Sequence, residues 1–250
     1  MTTPLVRAAV LLIGDELLSG RTQDTNLRTI AEFIAPLGVQ IAEARVVSDE
    51  PEEIVAAINA LRARYTYLFT TGGIGPTHDD KTADAVAAAF GVGIDVRADA
   101  RAILEAHYGT TNINEARLRM ARIPDGATLI LNPVSKAPGF QLGNVFVMAG
   151  VPSVMRAMLE DVGARLDGGA VVKSVTVRLR GAREGDLAAA LAALQEADPD
   201  VSLGSYPWYQ PPDGYGVHLV ARSADAEALD RARAGLLAIA RDVGVEGELV

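Results

Sequence analysis

The chain has no cysteine. Disulfides, thiolate zinc centres and cysteine nucleophiles are therefore excluded. Its three histidines, His78, His107 and His218, lie in unrelated segments and match no metal-ligand spacing. No apolar run approaches the length of a membrane span. The run Ala8–Ile13 follows Arg7 and is cut short by Gly14, Asp15 and Glu16, so it reads as a buried strand and not as a signal peptide. Positive charge is in deficit: 23 Lys and Arg against 32 Asp and Glu give a formal net charge of −9. Such a surface repels nucleic acid and acidic membranes. Neither is an expected partner, and a cytoplasmic location is the expectation. There is no internal repeat and no low-complexity tract.

What is present suits a folded α/β protein. The 250 residues are 49% hydrophobic and 22% charged, enough for one large domain or an ordinary domain plus a small one. Val6–Ile13 is a continuous apolar run, as in a strand covered on both faces. Asn26–Leu37 has helical spacing and stops at Gly38. Val39–Val47 reads as a strand, Glu52–Arg64 as a helix opened by Pro51, and Tyr65–Thr70 as a third strand. This order calls for a parallel sheet with right-handed crossovers. Helices are expected at about Lys81–Phe90, Arg97–Tyr108, Asn114–Arg122 and Pro152–Leu166. Short strands are expected at Thr128–Leu131 and Asn144–Met148, around a turn-rich segment Asn132–Leu142. A boundary falls near Asp167-Gly168-Gly169, giving domains 1–168 and 169–250. Past it, Val171–Leu179, Asp186–Glu196, Val201–Ser205, Gly216–Ala221 and Ala224–Val243 spell β-α-β-β-α, with Tyr206–Tyr215 as a connection.

The strongest chemical signal is Thr71-Gly72-Gly73-Ile74-Gly75-Pro76-Thr77-His78-Asp79-Asp80. It follows a buried strand and precedes a helix, where parallel sheets place their ligands. Gly72, Gly73 and Gly75 let backbone N–H groups approach an anion, and the helix start adds partial positive charge. Thr71, Thr77 and Lys81 are further phosphate candidates. Neither a Walker loop nor a Rossmann fingerprint matches. One of Asp79 and Asp80 suits a helix cap. The pair beside a phosphate loop also suits a bridging divalent cation such as Mg, Mn or Co.

Gly14-Asp15-Glu16 leaves the first strand at the same edge, so Asp15 or Glu16 is either a cap or a metal ligand. Asn26 could cap its helix or face the ligand. Asp49 follows the second strand. Ser135 and Lys136, in the loop Asn132–Gly139, could add a hydroxyl and a positive charge. Gly150-Val151-Pro152-Ser153 aims another helix start at this edge. A phosphorylated small molecule is the expected partner.

These motifs resemble a known family. Gly14-Asp15-Glu16-Leu17-Leu18 with Asn26, then Thr71–Asp80, Ala137-Pro138-Gly139-Phe140 and Gly150-Val151-Pro152-Ser153, resemble in order the motifs of competence/damage-inducible protein A (CinA). Gly73-Ile74-Gly75-Pro76-Thr77-His78-Asp79-Asp80 and Ser135-Lys136 are closer to the molybdopterin-binding-like domain of FAD synthases. The resemblance implies a three-layer α/β/α molybdopterin-binding fold with a mainly parallel sheet, then a small α+β domain of KH type. It also implies a homo-oligomer, dimer or trimer. The 250 residues leave no room for the deamidase domain that ends full-length CinA.

Two activities follow by resemblance. One is metal-dependent hydrolysis of a nucleotide pyrophosphate such as ADP-ribose or FAD; the carboxylates gathered at this edge then suggest Asp49, Asp80 and Lys136 as catalytic residues and Asp15, Glu16, Asp79 and Asp80 around the metal, Asp49 and Asp80 matching the functional acids of molybdopterin-inserting relatives. The other is binding of molybdopterin without hydrolysis. Two positions depart from the family pattern: Met148-Ala149-Gly150 replaces Leu-Pro-Gly, and Val154 replaces a glutamate.

Overall fold

The computed structural model describes residues 4–212 and 214–250, which divide into two compact units, up to Ala170 and Val171–Val250.

In the first unit the strands are β1 (Val6–Ile13), β2 (Val39–Val47), β3 (Tyr67–Thr71), β4 (Ile94–Val96), β5 (Arg122–Pro124), β6 (Thr128–Ile130), β7 (Gly139–Leu142) and β8 (Val145–Met148). The helices are α1 (Asp15–Leu18), α2 (Asn26–Ile34), α3 (Pro51–Arg64), α4 (Thr82–Phe90), α5 (Ala98–Tyr108), α6 (Glu115–Arg119) and α7 (Pro152–Gly163). Six strands form one sheet in the order β2-β1-β3-β8-β7-β6. The first four run parallel, and β7 and β6 are antiparallel additions. Both faces are covered. Ala9, Leu11 and Ile13 of β1 pack with Ile54, Ile58 and Leu61 of α3 and Val86 of α4. Ala8, Val10 and Leu12 pack with Ile30 and Ile34 of α2 and Met155, Met158 and Leu159 of α7. Where both faces of a strand are buried every position must be apolar, which accounts for the unbroken run Ala8–Ile13 that follows exposed Arg7 in β1.

Local chemistry sets the helix ends. Pro51 opens α3, with Glu52 and Glu53 in its first turn and Arg62 and Arg64 in its last, matching the helix dipole. Three expectations need correction. Residues 139–142 form β7, where a turn was expected. The helix expected to Arg122 stops at Arg119, because Arg122–Pro124 pairs with β4 in a small second sheet. The third strand starts at Tyr67, since the Tyr65 N–H still closes the last turn of α3.

The second unit comprises β9 (Lys173–Arg180), α8 (Glu184–Ala197), β10 (Ser202–Gln210), β11 (Gly214–Ser223), α9 (Ala226–Asp242) and β12 (Gly247–Leu249). Its antiparallel sheet has the order β10-β11-β9-β12. Val177, Leu179, Val217, Leu219 and Ala221 face a core completed by Leu187 of α8 and Ala232, Leu236 and Ile239 of α9. Residues 206–210 continue β10, so the expected connection is a strand. The edge strand β12 has no counterpart in the sequence reading. Among the described residues, no helix is long and apolar enough to cross a membrane.

Candidate functional site

Strand register gathers the motifs. At the carboxyl edge of the parallel sheet, Ile13 pairs with Val47, Leu12 with Thr71, and Thr71 with Met148. The four chains therefore leave the sheet side by side, at Gly14, Ser48, Gly72 and Ala149. Backbone bonds lace these exits together: Gly14 N–H donates to Val47 O (3.1 Å) and Gly72 N–H to Met148 O (3.2 Å). The crowding requires glycine. Gly72 has φ +103°, and a Cβ there would overlap the carbonyl oxygen of Ile13. Gly73, at φ +67°, leaves no room for a Cβ beside the Thr82 hydroxyl, which donates to Gly72 O at 2.9 Å.

Asp80 shapes the Gly-rich loop. Its Oδ1 accepts the Gly75 N–H at 2.6 Å, and its Oδ2 accepts the Thr77 N–H at 2.8 Å and the Thr77 hydroxyl at 2.6 Å. Three donors on one carboxylate make it a brace for the loop. Two of the amides expected to hold phosphate, Gly72 and Gly75, are thus already engaged. Among the described residues, the amides of Gly73 and Ile74 have no partner. Buried Asn26 fastens the rim from below, its Nδ2 donating to Gly150 O (2.7 Å) and to the Thr71 hydroxyl (3.4 Å).

The rim encloses a cleft of about 550 Å³. Of the sequence-predicted residues, Gly14, Glu16, Asp49, Gly72, Gly73, Gly75, Asp79, Asp80, Ser135 and Gly150 line it. Asp15, Asn26, Thr71, Thr77, Lys81 and Lys136 are not on its wall. Asp15 acts through its amide, which donates to Asp49 Oδ2 at 2.9 Å. Lys136 is exposed in a left-handed turn (φ 64°). The loop holding Lys136 folds around buried Asn132, whose Nδ2 donates to the Ser135 hydroxyl (2.6 Å) and to Ala137 O (2.7 Å). That loop presents Ser135 and Ala137 to the cleft.

The wall also includes Tyr108, Arg117, Met120 and Val154. Arg117 is a basic side chain on this wall, where Lys136 is not. Its guanidinium lies 4.4 Å over the Tyr108 ring, and its Nη1 donates to Asn112 O. The Asn114 side chain caps α6 by accepting the Arg117 amide at 2.9 Å. A signal for this wall existed: Arg117, Arg119 and Arg122 cluster in an acidic chain. Arg119 donates to Asp80 O and Arg122 clamps Asp84, so only Arg117 is left to face the cleft. Val154, where a glutamate was expected by resemblance, makes its part of the wall apolar.

The acidic side is electrostatically loaded. Burial pushes the Asp49 carboxyl above the ordinary carboxylate range. The negative charges of Asp15, Glu16 and Asp79 push the same way, and the Asp15 N–H opposes them. Among the described residues, no three His, Asp or Glu side chains lie close enough to hold a metal ion by themselves. The donor set instead fits a hard cation held by one or two carboxylates and completed by a ligand's phosphates, the usual habit of Mg²⁺.

This edge of a doubly covered sheet belongs to a recognised class of domain. Residues 9–168 match the family described as probable molybdopterin binding domain, and residues 172–245 match that described as FAD synthase, middle domain. Within the first class the chain belongs to the CinA-like family. It is 38% identical over 206 residues to a CinA-like protein of Citrifermentans bemidjiense, covering 78% of this chain and 49% of that one. A CinA-like protein of Gemmatimonas aurantiaca is 34% identical, covering 91% of this chain and 56% of the relative. The chain thus spans about half the length of these curated relatives. The crystal structure of the protein CinA with unknown function from Thermoplasma acidophilum superposes with a TM-score of 0.61 at 34% identity, covering 64% of this chain and 96% of that one.

Proposed function

We propose that the first unit hydrolyses nucleotide pyrophosphates of the ADP-ribose or FAD type with a divalent metal. The observation that carries this is the mixed charge of the cleft: Glu16, Asp49 and Asp79, close enough for their charges to act on one another, line it together with Arg117, which lies over the Tyr108 ring. A ligand with a cation-bound diphosphate and a flat base complements both. In this reading the free amides of Gly73 and Ile74 bind a phosphate oxygen. Asp49, whose raised pKa makes it the better base, takes a proton from the attacking water at its carboxylate. Arg117 offsets charge that develops on phosphate. Glu16 or Asp79 would share the metal with the ligand's phosphates, and the metal when bound would neutralise phosphate charge and acidify water. Asp80 keeps the loop in place. The likeness of the second unit to a domain of FAD synthase supports a nucleotide ligand.

The test is incubation of folded protein with ADP-ribose and with FAD, each with Mg²⁺, Mn²⁺ or Co²⁺, with mononucleotide products read by chromatography. Absence of turnover under every metal sinks the proposal. Tight, chelator-insensitive binding of a phosphorylated pterin without turnover would assign the cleft to molybdopterin.

A further inference from the structure

We infer that the open face of the second unit's sheet is a separate binding site for a dinucleotide, two flat bases joined through phosphate. The face is defined by register. Val177 and Leu179 of β9, and Val217, Leu219 and Ala221 of β11, point to the helices. Alternation sends Thr176, Arg178 and Arg180, and Gly216, His218, Val220 and Arg222, to the other side. Pairing places Tyr206 opposite His218 and Trp208 opposite Gly216 on that same side. Three arginines and three ring side chains thus share one face of a chain whose net charge is −9.

The rings lie as a plate. A Cβ at Gly216 would overlap Leu179 O and come within 2.8 Å of the Trp208 ring, so the indole lies close against the strand where there is no side chain. Trp208 and His218 stack with centroids 6.1 Å apart and planes at 27°. The Arg178 guanidinium sits 4.5 Å from the Trp208 centroid. Tyr206 is 48% exposed, and Arg180 and Arg222 are exposed at either end of the row. Among the described residues none of these three arginines is in an ion pair, although Glu248 is the register partner of Arg178. Two hollows open here, about 550 Å³ lined by Arg178 and Arg180 with Glu246 and Glu248, and about 360 Å³ lined by Tyr206, His218 and Arg222 with no acidic side chain.

Size and charge choose the occupant. Arg180 pairs with Gly216, and Arg222 lies six positions along the same strand, about 20 Å away. That exceeds one nucleotide and suits two bases with their connecting phosphates. Guanidinium groups bind phosphate, and aromatic faces stack on bases without regard to sequence. A polynucleotide would extend many phosphates over an acidic surface, with Glu246 and Glu248 at one end of the face. A dinucleotide carries fewer negative charges than the three arginines of this face can meet.

Trp208 is the single tryptophan, so its emission reports this face. The full chain, in chelator to suppress turnover, is titrated with an adenine dinucleotide, with AMP, with ribose 5-phosphate and with a short oligoadenylate. The dinucleotide should quench saturably and bind about tenfold tighter than AMP, while ribose 5-phosphate leaves emission unchanged. Tyr206→Leu, Arg180→Ala and Arg222→Ala, each at an exposed position and checked by circular dichroism, should each weaken the dinucleotide about fivefold to tenfold. Four outcomes overturn the inference. They are no quenching by the dinucleotide, equal quenching by ribose 5-phosphate, much tighter binding of the oligoadenylate, and emission that varies with protein concentration alone, which would mean that a second copy covers the face. None depends on hydrolysis, so this site and the proposed activity stand or fall separately.

Discussion

Helices cover both faces of the first unit's sheet, whereas the second unit's two helices cover one face of an antiparallel sheet and leave the other open. The difference decides where each can bind. A doubly covered parallel sheet has no free face, so its polar chemistry is driven to the strand ends, where glycines let four chains emerge together. An antiparallel sheet with one bare face can display side chains by simple alternation, and here only Gly216, under the Trp208 ring, is a close backbone approach. The first site is therefore backbone-dependent and intolerant of change. The second is built mostly of side chains and, Gly216 apart, should be tolerant.

The largest expected effect tests that contrast. Gly72→Ala forces a Cβ into Ile13 O at φ +103° and should destabilise the first unit by about 3–5 kcal/mol. Gly181→Ala in the second unit, also left-handed (φ +74°) but in open space, should cost only about 1–2 kcal/mol. Denaturant unfolding with hydrogen exchange in β1, β3 and β8 against β9–β11 separates the two. Equal losses would break the comparison.

Next in size is Asp80→Asn. The amide can accept from only one side, so the Gly75 or the Thr77 donors lose their partner. The loop shifts, and pyrophosphate turnover should fall about a hundredfold, with about 1–2 kcal/mol lost from stability. A variant with full turnover would show that the brace is dispensable. Arg117→Ala follows, with an expected tenfold loss in kcat/KM and little change in stability, because its partners are Asn112 O and the Tyr108 face. Lys136→Ala, at an exposed turn off the cleft wall, is the matched control and should keep its activity.

The smallest effect concerns pH. The Asp49 pKa is raised in the folded state, so the charged carboxylate is less at home there than in the unfolded chain. Its contribution is favourable below the unfolded pKa and is lost as pH rises through the folded one. Asp49→Asn should therefore raise the Tm modestly at neutral pH, and the gain should vanish in acid. A gain independent of pH would remove the carboxylate's charge as its cause.

Much of this was legible in the chain. Long elements with clear periodicity or an unbroken apolar run, such as β1, β2, α3 and α5, stand close to where the sequence puts them. The short strands β4, β5, β7 and β12 do not, because three or four residues carry no readable period and exist only through a partner. That the Gly-rich loop and its neighbouring carboxylates meet around one cleft was legible, because glycines and paired aspartates at the end of a buried strand belong to the carboxyl edge of the sheet. That Arg117 lines this cleft and Lys136 does not was not legible.

The sequence by itself determined that buried parallel strands end in glycine and acid, since continuous hydrophobicity and turn chemistry are local properties. Tertiary structure alone decided which side chains share the cleft. Arg117 reaches it because α6 packs beside the Gly-rich loop, with Arg119 bonded to Asp80 O, and Lys136 misses it because, at φ 64° between the cleft-lining Ser135 and Ala137, it is exposed off the wall. Contacts between residues far apart in sequence have no local signature, so proximity in space had to be seen.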